Sequence, residues 1–397
     1  MNIGIEAQRL LRPHKHGMDV VALELVRALD ALDSPHTFHV LVRPDTDRAC
    51  LEGLRRVKIV EVPGYHYVHW EQIQLPRMAR RLGLDVLHCT ANTAPLRLSV
   101  PLVLTLHDVI FMDAGPVGGT AYQRWGNAYR SWLVPRIIRR AARIATVSYD
   151  ERARVISMLR LPEAAVEVVY NGVSTRFGIA PTPEQRRAVQ EELAIHTPYV
   201  LLLGNAEPRK NVPRALAAFS QVADQYPGLR LVVTGLAAAE VQAMLSDVGG
   251  SAYLDRLVCP GYLPADLLPA VYAGASAFLY PSLREGFGLP ILEAMAAGVP
   301  VVTSLGTATA EVADAAGYLV DPTRAESIAE GLRAALTEDA TRRHKVALGL
   351  ERPTLFSWTG AAQRWIELYE SVQVPDSRPE RLVPALHPTL DVGRLPS

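Results

Sequence analysis

Short runs of β-branched and aliphatic residues alternate along the chain with segments whose apolar residues recur at helical spacing. The runs predict strands near residues 2–5, 38–42, 57–62, 85–88, 102–106, 144–147 and 166–169. Between the first two, Val20, Leu23, Val26, Ala28 and Leu29 make one helix face. This alternation implies a parallel sheet covered by helices on both sides. After Tyr170-Asn171-Gly172-Val173 comes a polar, Pro-containing stretch, and the alternation then restarts with strands near 199–203, 230–234, 277–280 and 299–303. Each of these meets Gly or Pro at an end, as loops of doubly wound sheets do. The fold class is α/β: two Rossmann-like doubly wound domains over residues 1–180 and 190–352, joined near 175–195. A helix is predicted over 358–372, returning to the first domain. Five prolines from Pro375 to Pro396 make 374–397 an irregular tail.

Two domains suit 397 residues, because single cores stop growing at roughly 250 to 300 residues. Hydrophobic residues make up 49% and charged residues 21%, and no apolar run reaches the length of a membrane span. Residues 1–6 enter a strand directly, without the basic flank and cleavage site of an export signal, so a cytoplasmic protein is expected. Cys50, Cys89 and Cys259 lie far apart, and none has a neighbour at zinc-ligand spacing, so no structural metal is expected. The formal net charge is zero, yet residues 1–180 carry 23 Arg and Lys against 17 Asp and Glu. That asymmetry bears on partners rather than on fold.

The chemistry is concentrated in two strand-loop-helix segments. In the first, Leu203-Gly204-Asn205-Ala206-Glu207-Pro208-Arg209-Lys210-Asn211, the adjacent Arg209 and Lys210 are placed to neutralise a diphosphate through charge-assisted hydrogen bonds. Lys210 is one of only four lysines beside 37 arginines, which points to a need for a compact ammonium. The second runs Arg284-Glu285-Gly286-Phe287-Gly288-Leu289-Pro290 and continues to Glu293. Gly286 and Gly288 allow close backbone approach, Pro290 suits a first helical turn, and the helix start adds about half a positive charge. Glu285 in the loop and Glu293 inside the helix can both reach a ligand lying across that start.

These segments resemble the retaining glycosyltransferases of family 4, which have the GT-B architecture of two facing Rossmann-like domains. The resemblance extends to Asn2-Ile3-Gly4-Ile5-Glu6-Ala7, His16-Gly17-Met18, His107-Asp108, Ala145-Thr146-Val147-Ser148 and Val169-Tyr170-Asn171-Gly172-Val173. It implies that Arg209 and Lys210 bind the donor diphosphate, with Asn205 beside them. Glu285 would hold sugar hydroxyls, with the backbone of Gly286, Phe287, Gly288 and Leu289 around it, and Glu293 would bind the ribose. Gly17 would approach the phosphates from the first domain, and His107 would sit by the sugar on the acceptor side. Many relatives carry a basic residue where Asn205 stands, and the first loop offers Gly17 alone instead of a Gly-Ile-Gly form. Both departures shift diphosphate binding towards Arg209 and Lys210.

The resemblance further implies a hexosyltransferase that needs no metal or other cofactor and uses same-face substitution, with the leaving phosphate helping to take the acceptor proton. The segment around Glu285 looks most like bacterial polysaccharide mannosyltransferases. GDP-mannose is therefore the expected donor, and a saccharide or lipid-linked acceptor the expected partner. Residues 64–72 are dense in aromatic and polar groups, so Tyr67, Trp70 and Glu71, together with Asn92, are acceptor candidates; a packed loop is the competing reading. Arg136, Arg139, Arg140 and Arg143 fall on one face of a predicted helix. That face is either solvated or a patch for anionic lipid, which would put the protein at the inner membrane surface. Asp45 and Asp47 superficially match an Asp-x-Asp metal motif but are read as solvated. Nothing in the sequence points to nucleic acid. No Gly-x-Gly-x-x-Gly follows an early strand, which argues against a dinucleotide oxidoreductase. A sugar-nucleotide epimerase and a non-catalytic sugar-nucleotide-binding homologue are the remaining alternatives.

Overall fold

The computed structural model describes residues 1–113, 121–195 and 197–372. Seven strands form the first sheet: β1 (Asn2–Glu6), β2 (Thr37–Val42), β3 (Lys58–Glu61), β4 (Val86–Cys89), β5 (Leu102–Leu106), β6 (Ala141–Thr146) and β7 (Val166–Val168). Their order is β3-β2-β1-β4-β5-β6-β7. The second sheet contains β8 (Tyr199–Leu203), β9 (Arg230–Thr234), β10 (Leu257–Gly261), β11 (Ala277–Tyr280), β12 (Val301–Ser304) and β13 (Tyr318–Val320), in the order β10-β9-β8-β11-β12-β13. Every pairing is parallel. The strand order reverses between β1 and β4 and again between β8 and β11. Crevices at the carboxyl ends of strands beside such switch points are where open α/β sheets bind ligands.

Both faces of each sheet are buried, as parallel sheets require. Ile3 and Ile5 of β1 point to one face, against Leu25, Val26 and Leu29 of the helix Gly17–Ala31. On the other face Leu87, Leu104 and Leu106 meet Leu133, Val134 and Ile137 of the helix Ala121–Ile137. The edge strands β10 and β13 were not announced by the hydrophobic pattern. The first contains Pro260 and Gly261 and is only partly buried, and the second is three residues long.

The helix Trp358–Glu370 crosses back to the first sheet. Ala362, Trp365, Leu368 and Tyr369 join the core that contains Ile3 and Ile5. Buried His88 stacks on Trp365 with ring centroids 4.1 Å apart and is hydrogen-bonded to the Tyr369 hydroxyl at 2.7 Å. The two crossings between domains touch one another: Val173 N donates to the Phe356 carbonyl at 2.9 Å, and a Cβ on Gly172 would lie 2.2 Å from the Trp358 nitrogen. Gly172 is therefore required by close approach. The expected tail over 374–397 lies outside the described residues.

The helical reading of Arg136, Arg139, Arg140 and Arg143 is corrected. The helix ends at Ile137, a 3-10 turn covers Ile138–Arg140, and Arg143 sits in β6. Arg143 binds the Ser371 hydroxyl at 2.9 Å and the Ser371 carbonyl at 2.7 Å, tying the returning helix to β6. The four arginines therefore do not form one helix face. No helix among the described residues is long and apolar enough to cross a membrane.

Candidate active site

The loop after β8 and the loop after β11 bring the first cluster together. Glu285 accepts from Lys210 Nζ at 2.7 Å on one oxygen and from Arg209 Nη1 at 2.8 Å on the other. The Tyr280 hydroxyl, at the end of β11, donates to Glu285 at 3.0 Å and accepts from Lys210 at 2.5 Å. Arg209 also donates through Nε to Glu207 at 2.6 Å. Asn211, in the left-handed region at φ 58°, fixes the loop by donating its amide to the carbonyls of Pro281 at 2.9 Å and Pro322 at 2.7 Å. Burial pushes the Glu285 carboxyl up, but Lys210 and Arg209 pull harder and hold it below the usual carboxylate range. Burial likewise lowers Lys210, while Tyr280 and Glu285 more than compensate and keep it an ammonium.

The helix Leu289–Ala296 starts beside this cluster, capped by Gly288 at φ 124°, a conformation that favours glycine. Its first turn holds no acidic side chain, so its N–H groups and dipole are available to an anion. Glu293 lies one turn further in. Burial raises its carboxyl, opposed by the Tyr272 hydroxyl, which donates to it at 2.9 Å. Asn205 stands just outside, its side-chain oxygen accepting from Glu207 N at 2.9 Å.

The first domain faces this cluster across a narrow cleft. A Cβ on Gly286 would lie 2.0 Å from the His107 carbonyl oxygen, and the Ser148 hydroxyl donates to the Gly286 carbonyl at 2.7 Å. His107 is buried, and its Nε2 lies 2.7 Å from the Thr90 carbonyl. A carbonyl only accepts, so Nε2 carries the hydrogen and Nδ1 is left with its lone pair. Burial holds the ring below the usual histidine range, outweighing Thr90 and Asp108. Asn92 Oδ1 accepts from His107 N at 2.6 Å, which makes Asn92 a positioning residue for His107. Gly17 is exposed at the start of its helix, with open space around it. On the same loop, His14 meets Tyr262 of the second domain, with ring centroids 5.4 Å apart.

Glu71 collects a second polar cluster. It accepts from the hydroxyls of Tyr129 at 2.6 Å and Tyr67 at 3.0 Å, from Gln72 at 2.7 Å and, at short range, from Thr93. Nearby, Glu6 at the end of β1 has its carboxyl raised to about 7 by burial, with Glu71 adding to the effect. Trp70 is corrected as an acceptor candidate. Its ring is fully buried and its indole N–H donates to the Val62 carbonyl at 2.7 Å, because an aromatic-rich loop must send one large ring inward to anchor itself. Asp47 is paired with Lys15, and Asp45 accepts from Thr46 N at 2.8 Å. Among the described residues, no cluster of His, Cys, Asp and Glu is arranged to hold a metal ion.

Sequence reasoning passed over Tyr280, Tyr272, Glu6 and Glu151. The available signal was an aromatic or acidic residue at the carboxyl end of a strand, which is where Tyr280 and Glu6 stand.

Two family models divide the chain between them: glycosyltransferase family 4 matches residues 16–177, and glycosyl transferases group 1 matches residues 185–347. The chain belongs to glycosyltransferase family 4. It is 32% identical to O-antigen chain mannosyltransferase B of Escherichia coli over 57% of this chain and 60% of that protein. Serotype-specific mannosyltransferase WbdA of Escherichia coli is 28% identical over 60% of this chain and 30% of that one. The matches thus span less than two thirds of the first relative's length and less than a third of the second's. Among solved structures, a glycosyltransferase from Rickettsia africae has a TM-score of 0.71 at 14% identity, covering 95% of this chain and 99% of that chain. Anabaena HepE, solved with UDP and glucose, has a TM-score of 0.71 at 16% identity, covering 94% of this chain and all of that chain. The fold of this family 4 chain is GT-B.

Proposed function

We propose that this family 4 chain transfers a hexose, with retention of configuration and without a metal ion, from a nucleotide diphosphate donor to a saccharide or lipid-linked acceptor. The observation that carries this reading is the Arg209–Lys210–Glu285 cluster, set at the switch point of the second sheet and directly opposite His107. Arg209 and Lys210 share one carboxylate between them. An arriving diphosphate gives both cations a stronger partner, and Glu285 is then released to accept from sugar hydroxyls at the same spot. Bond cleavage places negative charge on the leaving diphosphate, where the two cations and the Leu289–Ala296 helix start already point. Glu293, beside that start, is suited to ribose hydroxyls.

Mannose from GDP-mannose is the proposed donor sugar, supported by the mannosyltransferase names among the relatives, and polysaccharide assembly at the inner membrane surface is the proposed setting. A panel of nucleotide sugars, assayed for nucleoside diphosphate release with and without EDTA, tests both points. Preference for dTDP-rhamnose would remove the mannosyl assignment. Loss of all activity in EDTA, restored by manganese, would remove the metal-free one.

A further inference from the structure

Three aromatic rings line up on the helix Ala121–Ile137. Trp125 and Tyr129 are 5.6 Å apart with ring planes 4° from parallel, and Tyr129 and Trp132 are 6.5 Å apart at 29°. Arg136 lies over the Trp132 ring at 4.6 Å and continues the row. Positions spaced by four, three and four residues share one helix face. Trp125 and Trp132 are about half exposed, large apolar rings that would ordinarily be covered.

The row is joined to the acceptor side of the cleft. Tyr129 is held through its hydroxyl by Glu71, and Glu71 is linked through Thr93, next in sequence to Asn92, to the residue that positions His107. We propose that Trp125, Tyr129 and Trp132 form an accessory binding site for the saccharide chain of the acceptor, leading its reactive end towards His107. This rests on the transferase reading. From Trp125 to Trp132 the helix rises about 10 Å, the length of roughly two hexose rings. Tyr129 is stacked between the two indoles, so what the row offers to the C–H surface of a sugar is the exposed half of the Trp125 and Trp132 rings.

The test uses the full chain and α-linked mannose oligosaccharides of two, four and six units as probes, with affinity read by calorimetry and KM by nucleoside diphosphate release. In the unmodified protein the hexasaccharide should bind about 10-fold more tightly than the disaccharide, and Trp125→Ala with Trp132→Ala should abolish that difference. Trp→Phe at both positions keeps the ring faces and should restore most of it. Three results would overturn the proposal: no chain-length dependence in the unmodified protein, dependence that survives the double Ala variant, or loss of phosphatidylglycerol-vesicle binding in that variant with length dependence intact. The last would make the face a membrane surface. A protein that releases no nucleoside diphosphate from any sugar donor would instead break the transferase reading on which the site rests.

Discussion

Lys210 and Arg209 differ in how far each can be spared. Arg209 is divided between Glu285 and Glu207, whereas Lys210 is spent on Glu285 and the Tyr280 hydroxyl, where its compact ammonium fits. Lys210→Ala and Arg209→Ala should each lower turnover by ~100-fold or more, the scale for losing one preorganised charge stabiliser. Steady-state nucleoside diphosphate release beside a melting curve checks this, and a loss below about tenfold would place the leaving charge elsewhere. Glu151 makes a pH prediction. Burial, helped by Asp108 and Asp150 and opposed by the Val109 N–H and Arg154, raises its carboxyl from 4.5 to about 8. Arg284 of the second domain is 3.8 Å away. Because the folded-state value is raised, the stabilisation is complete below about 4.5, declines as pH rises and is gone above about 8. Glu151→Gln should flatten the dependence of Tm on pH in that window; an unchanged slope would refute the assignment. At this scale the sequence showed the groups that are neighbours in the chain, Arg209 with Lys210 and Glu285 with Glu293. It could not show Tyr280 bridging to Lys210 across 70 positions, or which way the Trp70 ring turns.

The loop between β11 and the helix Leu289–Ala296 was legible because its glycines are demanded by local geometry. The distance from Gly286 to His107 was not, since the two lie in different domains. That contact yields a prediction: Gly286→Ala pushes a methyl group into the His107 carbonyl and forces the cleft open. Donor KM should rise and turnover fall, while the second domain melts as before; unchanged kinetics would show that the contact is dispensable. The arginines of 136–143 were misread for a reason that lies in the element itself. A helix, a 3-10 turn and a strand follow without a break, and a charge recurring every three or four residues looks helical through all three. Strands β10 and β13 escaped because Pro260 and Gly261 interrupt the first and the second is only three residues long.

The whole molecule is held shut by contacts that cross the cleft. Glu311 of the second domain accepts from the N–H groups of Tyr149 and Asp150, each at 2.9 Å, so it caps the start of the first domain's helix Tyr149–Leu159, and the Tyr170 hydroxyl joins it at 2.7 Å. With the donor proposed to touch Gly17 from one side and Lys210 from the other, nucleoside diphosphate should slow amide exchange at both; protection at Lys210 alone would mean that one domain binds unaided. The connection through Gly172 and Trp358 bears on how the chain comes to be folded at all. Ile3 and Ile5 share their core with Trp365, Leu368 and Tyr369, residues that leave the ribosome more than 350 positions later. During synthesis the second domain can therefore complete itself, each strand finding its neighbour in order, while the first waits with part of one apolar face uncovered. A chain ending at residue 357 should reproduce that waiting state: a second domain that melts cooperatively, attached to a first domain that is rapidly cut by protease and prone to aggregate. Equal protease resistance in both halves would mean that the returning helix is an ornament on a core already closed. The helix made after the second domain is, on this account, the lid of the first domain to be started, and a chaperone that shields nascent apolar surface has the most to do at the amino-terminal sheet.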